Sequence, residues 1–67
     1  MKLHFLLEAL VKKLEGEVEI AKANIFVYTR NPAGIGEHPE VVEAIESQVA
    51  KIAEAQDKID TIKQLNL

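Results

Sequence analysis

Asn31-Pro32-Ala33-Gly34-Ile35-Gly36-Glu37-His38-Pro39 holds both prolines and two of the three glycines of a 67-residue chain. Pro32 biases Asn31 away from helical backbone angles, while Gly34 and Gly36 accept positive φ without steric cost. Pro39 suits the first turn of a new helix, where its missing N–H has no partner to lose. Ile35 reads as a hydrophobic plug over the open end of a hairpin. The segment therefore predicts a turn over residues 31–38 between two helices, one from about residue 3 to 30 and one from about 39 to 64. The fold class is all-α, an antiparallel two-helix hairpin.

On the N-terminal side, no proline and only Gly16 interrupt the helix-compatible sequence. His4, Leu7, Val11, Leu14, Val18, Ala21, Ile25 and Tyr28 follow one another by alternating steps of three and four, which places them on one stripe of a helix. Leu6, Ala9, Lys13, Gly16, Ile20, Ala23 and Val27 make a second stripe nearly opposite the first. A helix apolar on two sides is usually covered on two sides. One partner helix covers one stripe, so the expectation is an inner helix. The larger, more regular first stripe is assigned to the hairpin interior. The second, with Leu6, Ala9, Gly16, Ile20, Ala23 and Val27, is assigned to contact with another subunit.

On the C-terminal side, Glu37 and Glu40 sit where a helix N-terminus favours carboxylates, and His38 is placed as the N-cap. Val41, Val42, Ile45, Val49, Ile52, Ala55, Ile59 and Ile62 form the apolar set. Glu40, Glu43, Ser47, Glu54, Asp57, Thr61 and Gln64 form the opposite, wet face. Folding about the turn is expected to bring Val18 to Val49, Leu14 to Ile52 and Leu7 to Ile59. Gln48 and Gln56 are expected at the edges of the stripe, in reach of water, with a register-fixing glutamine pair between subunits as the alternative. Glu8–Lys12 and Glu54–Lys58 are expected i,i+4 ion pairs.

Size and composition narrow the options. A 67-residue chain has room for one small domain, and a core that small usually needs a disulfide, a metal or a second subunit. Cysteine is absent, and two distant histidines are a thin basis for zinc. Oligomerisation, as a homodimer forming a four-helix bundle, is what remains. A net charge of −3, without clustered Lys or Arg, argues against nucleic acid as a partner. No apolar run approaches the roughly 20 residues that span a bilayer. The leucine-rich start is broken by His4 and Glu8 and reads as helix rather than signal peptide, giving the expectation of a soluble, cytoplasmic protein without a membrane partner.

The run Asn31-Pro32-Ala33-Gly34-Ile35-Gly36-Glu37-His38-Pro39-Glu40-Val41-Val42-Glu43-Ala44-Ile45-Glu46 resembles a segment of uncharacterised small proteins of tailed bacteriophages, especially those of marine cyanobacteria. It covers about a quarter of the chain, with weaker similarity through Ile59. The resemblance implies a helical hairpin, encoded by a phage and working in its bacterial host, and transfers no activity or functional residues.

Chemistry finds little material. Ser47 is the only serine, and neither histidine has an acid and a nucleophile at a recognisable spacing, so no enzyme is expected. Glu37, His38 and Glu40 are metal-compatible residue types, but two glutamates at a helix start also answer its dipole, and no metal is assigned. Gly34-Ile35-Gly36 lacks the preceding strand and the following lysine of a phosphate loop, and Glu37 repels phosphate. No cofactor is expected. The function expected is protein–protein interaction through helix packing, as a small structural or adaptor module. The competing expectation is an acidic inhibitor that engages a basic surface of its partner.

Overall fold

The structure, a computed structural model, describes residues 4–30 and 39–65. Two α-helices, α1 (Phe5–Arg30) and α2 (Pro39–Gln64), pack antiparallel along their length. Each has 26 residues and so runs about 39 Å at 1.5 Å per residue. The turn residues Pro32, Gly34, Ile35 and Gly36 lie outside the described residues, as does the side chain of Pro39.

Each helix start is explicable locally. Leu6 N–H donates to His4 Nδ1 at 3.1 Å, and Glu8 N–H donates to the His4 carbonyl at 2.9 Å. His4 is thus the N-cap of α1: its imidazole serves one of the orphan amides of the first turn. This corrects its expected place on the buried stripe, since the His4 side chain is exposed and stacks on Phe5 with ring centroids 4.7 Å apart. The cap expected of His38 lies outside the described residues. α2 opens on Pro39, where the missing N–H is free of consequence. At its far end the Leu65 N–H reaches back to the Ile62 carbonyl at 3.1 Å, a tighter closing turn.

The core is a single seam. Val11, Leu14, Val18 and Ala21 from α1 and Ala55, Ile59 and Ile62 from α2 are buried, with Leu7 and Ile52 packed beside them. Leu14 is only 2% exposed. The α1 stripe matches its expected interior role from Leu7 to Tyr28, its outer members being half-buried.

The α2 seam differs from the expectation. Gln48, not Val49, occupies the interior: Gln48 is 8% exposed and Val49 is 52% exposed. Asn24 Nδ2 donates to Gln48 Oε1 at 3.1 Å. The glutamine is therefore buried, with its carbonyl oxygen paired within its own chain, rather than an edge residue in water. Val42, also expected in the stripe, is exposed. The correct α2 seam is Val41, Ile45, Gln48, Ile52, Ala55, Ile59 and Ile62, which alternates steps of four and three throughout.

The same hydrogen bond corrects the level of pairing. In an antiparallel pair each step back along α1 is a step forward along α2. With Asn24 opposite Gln48, Val18 lies level with Ala55 rather than Val49, and Leu14 with Ile59 rather than Ile52. The slip is about six to seven residues, or roughly 10 Å along the axis. Eight residues separate the helices, more than the two to five of a tight αα-hairpin, so packing rather than chain length selects the register.

Candidate protein-interaction surface

The outward face of α1 carries the residues assigned to subunit contact. On a wheel of about 100° per residue its centre lies roughly 150° from the buried stripe. Leu6, Ala9, Gly16, Ile20, Ala23 and Val27 are all exposed, and Phe5 adds an exposed ring at the start of the same face. Leu6 and Ile20 are more than three-fifths exposed. Isolated exposed hydrophobics are ordinary, whereas this set forms one continuous face along most of a helix. Gly16 lies at its centre, and a Cβ added there would meet nothing within 4 Å. Nothing inside the hairpin therefore requires glycine at this position, although glycine costs a helix about 1 kcal/mol relative to alanine.

Lys13 is the one charged member of the face. Its Nζ lies 2.6 Å from Glu17 Oε2, one turn on and toward one edge. The hydrogen bond and positive charge of Lys13 hold the Glu17 carboxyl below the usual glutamate range; slight desolvation opposes this, and Lys58 of α2 adds to it. The lysine head is thus tied along the helix to Glu17.

Elsewhere the surface is ion pairs and shallow grooves. Glu54–Lys58 forms as expected at 3.2 Å. Glu8–Lys12 does not: Lys12 pairs with Glu15 at 3.6 Å, and Lys22 with Glu19 at 3.5 Å. All these partners are at least 45% exposed, so each pair contributes little. A groove of about 350 Å³ runs between the helices past Glu17, Ile20, Asn24, Gln48, Lys51 and Lys58. It is open to solvent along its length, and its only sealed polar group, Gln48, is already paired.

Of the residues singled out for chemistry, Ser47 is exposed on α2, and Glu37 and His38 lie outside the described residues. Among the described residues, no group of three or more His, Asp or Glu is placed to hold a metal ion. No described helix is long and apolar enough to cross a membrane. No protein-family model matches the chain, and neither does any curated protein or solved structure.

Proposed function

We propose that this chain is a protein–protein interaction module that acts through helix packing, and that its first partner is itself, as a homodimer whose two α1 helices pack back to back, a four-helix layer rather than the expected four-helix bundle around one core. The observation that carries the reading is the exposed apolar face of α1, directly behind the face that α2 covers. Surface area supports it. The chain exposes 5068 Å², whereas a compact monomer of 7.5 kDa exposes roughly 4,200 Å². The excess, about 800 Å², is close to what each partner contributes to a standard protein interface. The core seam also includes two alanines and a glutamine among its buried positions, which leaves a lone hairpin thinly supported. The resemblance of residues 31–46 to tailed-phage proteins supplies the setting: a phage-encoded structural or adaptor module in the cytoplasm of a bacterial host.

Charge distribution favours a second reading. α2 carries six carboxylates against three lysines, all exposed, while α1 balances four against four. An acidic outer helix on a neutral inner one fits an inhibitor that engages a basic protein surface. Light scattering at micromolar concentration tests the first reading and is expected to give twice the monomer mass. Gly16→Arg is expected to dissociate or aggregate the dimer. A monomeric wild type would overturn the homodimer and leave the inhibitor, whereas a Gly16→Arg dimer that is unchanged and more stable would mean that the contact uses another face.

A further inference from the structure

Resting on the homodimer just proposed, we infer that the second copy lies antiparallel on the α1 face, with the two helices crossing at Gly16 and the α2 helices outside. Two independent features of the face select this arrangement.

The first is its shape. Counted outward from Gly16, the small residues and the apolar ends of the face recur in both directions: Ala9 and Ala23 stand seven residues away on either side, and Phe5 and Val27 eleven, while Ile20, four after, answers Lys12, four before. Reversing one helix about Gly16 therefore sets Ala9 against the partner's Ala23 and Phe5 against the partner's Val27. Small residues meet small ones at the crossing, where backbones come closest, and large apolar side chains meet at the ends.

The second is charge. The two edges of the face carry Lys12 and Lys13 before Gly16, and Glu17 and Glu19 after it. All four side chains are exposed. Antiparallel packing brings the lysines of each copy level with the glutamates of the other along both edges. A parallel dimer would set lysine beside lysine and glutamate beside glutamate. Like charges at such flanking positions disfavour a pairing, and opposite ones set partner orientation. The surface thus rejects the parallel dimer as well as favouring the antiparallel one.

A chain without cysteine makes the test clean. Ala9→Cys and Ala23→Cys are made separately; both alanines are exposed, so neither change enters the core. A disulfide requires Cα atoms within about 7 Å. In the antiparallel dimer, Ala9 lies about 21 Å from the partner's Ala9 and within reach of the partner's Ala23. Mild oxidation of either variant alone is expected to leave single chains on a non-reducing gel. Oxidation of the equimolar mixture is expected to give the cross-linked dimer. Cross-linking of Ala9→Cys by itself would mean parallel packing and overturn the inference. So would a mixture that sediments as dimer yet forms no disulfide, because the contact would then use another face or register. Sedimentation of the wild type as monomer would remove the homodimer itself, a failure distinct from the other two.

Discussion

The Asn24–Gln48 hydrogen bond puts a polar pair inside a seam that is otherwise aliphatic. A buried amide without a partner loses its hydration with nothing in return, a cost of about 1–3 kcal/mol. Asn24→Ala should therefore destabilise the hairpin by an amount in that range, since Gln48 stays buried and its acceptor is orphaned. Replacing both residues by leucine should be neutral or stabilising, at the expense of a feature that distinguishes one register from its neighbours. Urea titration checks both, and equal destabilisation by the single and double changes would refute the account. Glu17 makes a pH-dependent contribution of the opposite character, exposed and mainly within α1. Its carboxyl is held down by the hydrogen bond and charge of Lys13, and to a smaller extent by Lys58 across the hairpin. A carboxyl depressed in the folded state contributes stability above the ordinary glutamate range and loses it as pH falls through the depressed folded value. Lys13→Ala should return the Glu17 titration toward the ordinary glutamate value, with Lys58→Ala shifting it less. Carboxyl chemical shifts followed from neutral to acid pH report this directly; a Glu17 titration unmoved by Lys13→Ala would show the pair to be without effect in solution.

Periodicity made α1 readable because the larger and more regular of its two apolar stripes, Leu7 to Tyr28, is the one that faces α2. The same alternation of four and three was available in α2. The strict pattern lands on Gln48, however, and Val49 beside it looks like the better core residue. Burial of a polar side chain becomes acceptable only when a partner is at hand, and Asn24 is 24 positions away in sequence. That link is a property of register, and register follows from tertiary packing that no local pattern encodes. The ion pairs show the same limit. Lys12 has Glu8 four residues before it and Glu15 three residues after it, and only rotamers decide that it pairs with Glu15 rather than Glu8. Spacing alone places His4 on the buried stripe, although a residue at the edge of a helix can serve as its cap. The charge asymmetry between the helices was legible throughout: α1 is neutral, and the whole net charge of the described helices falls on α2. A neutral helix tolerates a second copy of itself at close range, whereas an acidic one repels it. That difference is why α1, rather than α2, is the side of the hairpin suited to self-association.

The molecule is a rod, 47 Å long and about 14 Å across, with a radius of gyration of 15.1 Å. A compact domain of 67 residues would have a radius of gyration of about 11 Å. A rod two helices wide has much surface for its core, and dimerisation along its length is the most direct way to cover more of it. The two proposed functions then separate by the forces they use. Self-association through Leu6, Ile20 and Val27 buries apolar surface, which salt strengthens or leaves unchanged. Contact between the α2 carboxylates and a basic protein is screened, because the Debye length falls to about 3 Å at 1 M salt. Melting followed by circular dichroism over a hundredfold range of concentration, at 0.1 M and again at 1 M sodium chloride, sets the two apart. For the homodimer, the melting temperature should rise with protein concentration at both salt levels, because mass action favours the state that binds its partner. The flanking pairs of Lys12 and Lys13 with Glu17 and Glu19 add only a small salt-sensitive part, being exposed. A melting temperature independent of concentration at both ionic strengths would describe a monomer whose open α1 face has no second copy to cover it. It would shift the functional weight to the acidic surface of α2, where Glu43, Glu46, Asp57 and Asp60 become the residues to neutralise.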